Sequence, residues 1–449
     1  MTEFVLRSAR VVTPEGMAPR TIHVRDGRIE SVRGPNGAPP GIDVVDVGDA
    51  VVMPGLVDTH VHINEPGRTE WEGCATATRA AAAGGVTTVL DMPLNSIPAT
   101  TTVAALEAKR AAALGQCSID VGFLGGVVPG NTDELAPLHA AGVLGFKCFM
   151  VPSGVAEFEH VEERDLRAAL PALARLGATL MVHAESPAAI DAAPAIRDRR
   201  RYADYLASRP PVAETDAIAL ILRLAEEFGA RVHIVHLSSS DALPMLAVAR
   251  RRGVAVTVET CPHYLHFAAE EIADGATDHK CAPPIRERAN RDALWRALES
   301  GAIDAVVSDH SPCPPALKQL DTGDFAAAWG GIASLQHGLP VVWNGMRARH
   351  LDVERIGGWM SAGPARLAGL SHRKGAIAPG RDADFVVWHP EEEFTVRADA
   401  LLQRHPVTPY IGARLPGAVQ ATYLRGMKIH ERGMIVAPRR GQLLAREGR

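Results

Sequence analysis

Two kinds of hydrophobic pattern divide the chain. Residues 1 to about 52 and 376 to about 435 carry short stretches of alternating or β-branched apolar residues, among them FVLRSARVV, TIHVRDGRIESV, DADFVVWH and ATYLRGMKIH. A two-residue period of this kind predicts half-buried strands, and Asp26-Gly27 is a strong hairpin signal. Between these ends the pattern changes. Eight short apolar runs follow one another: GLVDTHVH, VTTVLDMP, SIDVGFLGG, GVLGFKCFM, ATLMVHAE, RVHIVHLS, VAVTVETCPHY and AIDAVVSDHSP. Unbroken apolar runs suit parallel strands covered on both faces. The stretches between them, such as ATATRAAAAG, TVAALEAKRAAALG and ALWRALESG, have helical composition and several stop at glycine.

Eight β-then-α units predict an α/β fold, a (β/α)8 TIM barrel over 53–375. The two β-rich ends predict one small β-sandwich-like domain, built from 1–52 and 376–449. An open doubly wound sheet is the alternative, but no Gly-x-Gly-x-x-Gly turn follows the first strand. The last dozen residues, PRRGQLLAREGR, read as a tail that is ordered only if something holds it.

Length and composition fit this picture and narrow the function. A chain of 449 residues suits a barrel with an added domain, and 47% apolar with 22% charged residues is ordinary for a globular protein. A formal net charge of −5 gives no basic stripe for nucleic acid or an anionic membrane. The N-terminal MTEFVLR lacks the layout of a secretory signal, and no apolar run approaches the ~20 residues of a membrane span. A soluble, cytoplasmic protein is the expectation. Six cysteines (74, 117, 148, 261, 281 and 313) form no C-x-x-C pair and are expected to be reduced and mostly buried. Cys148, Cys281 and Cys313 lie beside segments with candidate chemistry, so one of them is a candidate for a pocket wall.

That chemistry gathers at the C-terminal ends of the eight runs. The first ends in His60-Val61-His62, the fourth near Lys147, the fifth at His183, the sixth at His236 and the eighth at Asp309. A barrel builds its active site at this end. Residues two apart on a strand share a face, so His60 and His62 can reach one ion. Singly, each of these is a weak signal, and an isolated buried histidine is more often a hydrogen-bonded core residue. Converging from several strands, four imidazoles and a carboxylate form a shell for one or two transition-metal ions. His233, His160, His279, His337 and His350 read as structural or surface residues.

Lys147 has no place in such a shell as an ammonium. In order along the chain, PGLVDTHVH, GFKCF, MVHAE, HIVHLSS and SDHSP resemble the cyclic amidohydrolases, a family of dihydroorotases, hydantoinases and allantoinases, over roughly residues 50–390. The resemblance implies that Lys147 is carboxylated by CO2 and bridges two divalent ions. It also implies that His60, His62 and Asp309 hold one ion and His183 and His236 the other. Zinc is the expected metal, with cobalt, manganese or iron also compatible. With two dications at +4, a carbamate, Asp309 and a bridging hydroxide leave about +1, whereas a charged lysine would leave about +3. The resemblance further implies hydrolysis by water activated between the ions, with Asp309 as proton carrier, and assembly into dimers or tetramers.

Within the family, the dihydroorotase pattern places a carboxylate-binding arginine where this chain has Asn64. Ala282 stands in Lys280-Cys281-Ala282-Pro283-Pro284 where that pattern has asparagine, and Asp309-His310-Ser311-Pro312-Cys313 departs from its D-x-A-P-H. Loss of a bidentate anchor costs an anionic ligand about 2–5 kcal/mol. An uncharged ureido-bearing ring suits Asn64 better, since an amide both donates and accepts. The strings NEPGRTEWEG (64–73), DMPLNSIPATT (91–101), KCAPPIRE (280–287) and GDFAAAWGGIASLQ (323–336) resemble the allantoinases. Asn64 and Asn95 are the candidate substrate contacts, with loop hydrogen bonding as the alternative, and Trp71 and Trp329 either shape pocket loops or pack the core. The alternatives are a hydantoinase or dihydropyrimidinase, and a non-catalytic scaffold of the same fold.

Overall fold

The computed structural model describes residues 3–446. The first barrel strand, Leu56–Val61, pairs in parallel with Val86–Asp91, which pairs with Asp120–Phe123. Gly125–Gly126 continues the third strand and pairs with Phe146–Phe149. Thr179–His183, Arg231–Ile234, Val256–Thr260 and Ala305–Val306 follow, each parallel to its predecessor. A parallel bridge from Val61 to His310, with the His62 N–H donating to the His310 carbonyl at 2.8 Å, joins the eighth strand to the first. The ring closes. These are the eight runs of the sequence, in order, and the barrel rather than the open sheet is the result.

The helices follow from local pattern. Glu163–Leu176 buries Leu166, Ala169, Leu170 and Leu173, the i, i+3, i+4, i+7 stripe of an amphipathic helix. It stops at Gly177, whose φ of 64° is the left-handed cap that glycine takes without steric penalty. Among the described residues, no helix is long and apolar enough to cross a membrane.

The second sheet has nine strands taken from both ends of the chain. Val51–Pro54 pairs with Glu3–Thr13 on one side and antiparallel with Phe385–Trp388 on the other, joining the two ends. The strand period decides the packing. Val52, Phe385 and Val387 face a core with Leu6, Ile22 and Val24, whereas Val51, Met53, Val386 and Trp388 face the barrel's core. The hairpin at Asp26-Gly27 forms with φ of 49° and 79°, the positive pair that a two-residue turn requires.

The terminal segment departs from a free tail. Leu443–Leu444 adds in parallel to Val121–Gly122 at the start of the third barrel strand. The Gln442 carbonyl accepts from the Val121 N–H at 2.9 Å, and Leu444 is buried. Two leucines in an otherwise polar stretch supply the apolar anchor. The segment's last three residues, 447–449, lie outside the described residues.

Candidate metal centre

The first strand delivers His60 within its buried run and His62 just beyond its end, on the same face. The seventh and eighth strands fix the first ring. His60 Nδ1 is held at 2.6 Å by Glu259, a fully buried carboxylate on the seventh strand. That leaves His60 Nε2 facing Asp309 at 3.2 Å, with His62 Nε2 3.5 Å from the same oxygen. One candidate ligand atom from each of His60, His62 and Asp309 lies within 4.8 Å of the other two.

The fifth and sixth strands bring the other pair. His183 Nε2 is held at 2.7 Å by Glu185, itself bonded through both oxygens by Arg209. His183 Nδ1 is thereby left to face His236 Nε2 at 2.9 Å. An outer carboxylate on each ring selects the nitrogen that can ligate. The His60 and His236 ring centres are 5.3 Å apart, so the two groups adjoin.

Lys147 lies beneath them, fully buried, with Nζ 4.8 Å from the Phe149 ring centre and no hydrogen-bond partner. Burial pushes its ammonium down to about 8, against the opposing pull of Asp309 and Glu259. Burial also lowers all four histidines, His60 and His236 furthest, so the imidazoles are neutral and their lone pairs free.

Above this cluster sits a cavity of about 480 Å3, the size of small-molecule sites. His60, His62, His183, His236 and Asp309 line it, with Asn95, Arg209, Lys280 and Trp329. His236, Asp309 and Asn95 adopt φ of 38°, 45° and 71°. Non-glycine residues in this region cost about 1–3 kcal/mol each and cluster where side chains must be aimed. Trp71 meets Trp329 edge-on, 4.8 Å between ring centres, bracing that wall.

Asn64 does not line the cavity: its N–H donates to the Glu72 carbonyl as the chain turns, and its amide is wholly buried without a partner. Its carbonyl accepts from the Arg68 N–H, and Arg68 in turn donates to the Asn95 carbonyl, which links Asn64 to a residue of the cavity wall. None of Cys148, Cys281 and Cys313 lines the wall; all six cysteines are buried and free. His233 is structural, as the sequence suggested: it is buried, with Nδ1 at 2.7 Å from Thr257 and Nε2 at 2.9 Å from Glu259, the carboxylate that holds His60.

Glu259, Glu185, Arg209 and Lys280 were missed in the sequence. The signal for the two acids was an ionisable residue inside an apolar strand run, VTVETC and MVHAE, where an unpaired charge would be prohibitive. Arg209 and Lys280 gave no such signal. The Lys280 ammonium donates to the Ala328 carbonyl at 2.5 Å, and burial beside Lys318 brings it down to about 8.

Known proteins place this geometry. Residues 51–427 match the family model described as "Amidohydrolase family". The chain is 55% identical to an allantoinase of Streptomyces avermitilis, with 99% of each chain covered. It is 44% identical to an allantoinase of Arabidopsis thaliana, covering 95% of this chain and 88% of that one. Among solved structures, an L-hydantoinase (dihydropyrimidinase) from Arthrobacter aurescens superposes with a TM-score of 0.93 at 31% identity, covering 99% of this chain and 100% of that one. A closed barrel with a two-ended β domain, strand-end imidazoles and similarity along the whole chain agree, and the chain belongs to the amidohydrolase family.

Proposed function

We propose that the protein is an allantoinase, a metal-dependent hydrolase that opens the hydantoin ring of allantoin to give allantoate. The observation that carries this reading is identity of 55% with an allantoinase over 99% of both chains.

The family and its hydantoinase neighbours imply a binuclear metal centre. The residues here fit one. Lys147 Nζ is buried with no acceptor, and an ammonium left so costs several kcal/mol. The same site suits a carboxylated lysine among cations. His60, His62 and Asp309 would hold one ion, His183 and His236 the other, and carboxylated Lys147 would bridge them. Zinc suits these nitrogen and oxygen donors. Bound there, the pair supplies Lewis-acid polarisation of an amide carbonyl and eases deprotonation of water.

The chain's own side chains do the rest. Asp309, on the cavity wall, accepts a proton from the attacking water and returns it to the leaving ring nitrogen. Glu259 and Glu185 keep the ligating nitrogens unprotonated. Asn95, a residue of the cavity wall whose Oδ1 has no partner, accepts an N–H of the ureido group or ring. Asn64 positions it through Arg68. Six unpaired cysteines fit a reducing, cytoplasmic compartment, and the resemblance supports assembly into dimers or tetramers.

Purified protein assayed on allantoin, hydantoin and dihydrouracil, with metal analysis of the same sample, tests the reading. Preferred turnover of allantoin with two ions per chain is the expected result. Faster opening of hydantoin or dihydrouracil would reassign the substrate, and absence of bound metal would revive the scaffold alternative.

A further inference from the structure

Cys261 and His263 follow the seventh strand directly, at the start of the short helix Pro262–His266. Both are fully buried, and neither lines the cavity. The sulfur of Cys261, a ring nitrogen of His263 and a carboxylate oxygen of Asp309 all lie within 4.8 Å of one another. His263 has no hydrogen-bond partner on either ring nitrogen. A buried imidazole without a partner is costly and calls for an unseen one. Thiol, imidazole and carboxylate together are a zinc- or cadmium-type donor set, softer than the nitrogen and oxygen set beside it.

We propose that Cys261, His263 and Asp309, the last shared with the first-ion site, form an additional site for one thiophilic divalent cation, whose occupation draws Asp309 away from the reacting centre and inhibits the enzyme. The inhibitory half rests on the acid–base role given above to Asp309. Asp309 is the one member on the cavity wall, so the ion enters past it. The sulfur–metal bond forms as the thiol loses its proton to solvent, with no redox change. Repulsion by two dications nearby weakens the site, so it fills only when cation is in excess. Cadmium, with its preference for sulfur, is the stronger probe and zinc the weaker.

The experiment titrates the two-metal holoenzyme with cadmium ion alone. It follows bound metal by equilibrium dialysis, the ultraviolet thiolate-to-cadmium band, and turnover. One further equivalent, the band, and loss of activity over the same concentration range are expected. Cys261→Ser and His263→Gln should each abolish the band or weaken cadmium binding about 100-fold, the upper end of the loss from removing even an outer partner of a metal site. Turnover without cadmium should be unchanged in both. Cys281→Ser and Cys313→Ser serve as thiol controls. A band that survives in both Cys261→Ser and His263→Gln, or that disappears in a control, overturns the site. A band that follows Cys261 without inhibition overturns the recruitment of Asp309. Binding and spectrum are read without reference to substrate, so a wrong substrate assignment would leave them standing.

Discussion

Replacing Glu259 by glutamine separates a structural carboxylate from one that sets the metal-binding tautomer. Glu259 is wholly buried and holds His60 Nδ1 at 2.6 Å and His233 Nε2 at 2.9 Å, one through each oxygen. Both rings donate to it. Glutamine keeps the shape but offers one acceptor and one donor, so one ring must turn its acceptor nitrogen towards the amide. If that ring is His60, the proton moves to Nε2, the nitrogen 3.2 Å from Asp309 that would ligate the first ion. Outer partners of metal ligands are worth 10–100-fold in affinity, about 1.4–2.7 kcal/mol. The effect should reach at least the lower end of that range, because the bond is short, charged and dry. The assay is metal retained per chain during dialysis against graded chelator, with thermal unfolding measured on the metal-free protein in parallel. Glu259→Gln should lose the first ion at roughly tenfold less chelator or below, while Glu259→Asp recovers part of the loss. Retention equal to the parent would refute the tautomer argument, and a fall in unfolding temperature with unchanged metal affinity would make Glu259 a packing residue only.

Four further outcomes follow from the same geometry. Asp309→Asn should keep most of its metal yet lose turnover by about 10²–10⁴-fold, the range of a removed general acid–base; near-normal turnover would sink that role. Lys147→Ala should lose metal and activity, with partial rescue by a short carboxylate such as acetate, and two tightly held ions in that variant would exclude the carbamate bridge. Lys280 is brought down to about 8 by burial, so between that pH and its ordinary 10.5 the unfolded chain binds the extra proton. Unfolding temperature should therefore rise with pH across that window more steeply in the parent than in Lys280→Met, and equal slopes would contradict it. Deleting residues 441–449 bares the edge of the third barrel strand and the Leu444 contact, worth about 1.5–3 kcal/mol, and should lower the unfolding temperature by a few degrees.

Much of this molecule was legible because its signals are local. The eight apolar runs become the eight barrel strands since unbroken burial on both faces is written in consecutive residues. Asp26-Gly27 needs only its own positive φ values. His60 and His62 share a face by the two-residue period, and the strand-end positions of His183, His236 and Asp309 follow once the barrel is granted. What the sequence could not supply lies across the barrel. Glu259 meets His60 over a separation of 199 residues, and no periodicity encodes which strand stands opposite which. The left-handed backbone at His236, Asp309 and Asn95 is set by the closed ring and its loops, at residue types that enter this region more readily than most. Asn64 carries the chemistry of a substrate contact, but only the turn after the first strand shows that its side chain is buried and that Arg68 ties it to Asn95. The terminal Leu443–Leu444 strand forms only because an unpaired stretch of the third barrel strand stands open to receive it. The sequence by itself determined the elements and the kinds of side chain at their ends; closure of the barrel decided which nitrogen, which oxygen and which amide face one another, because those pairings are made through space between residues far apart along the chain.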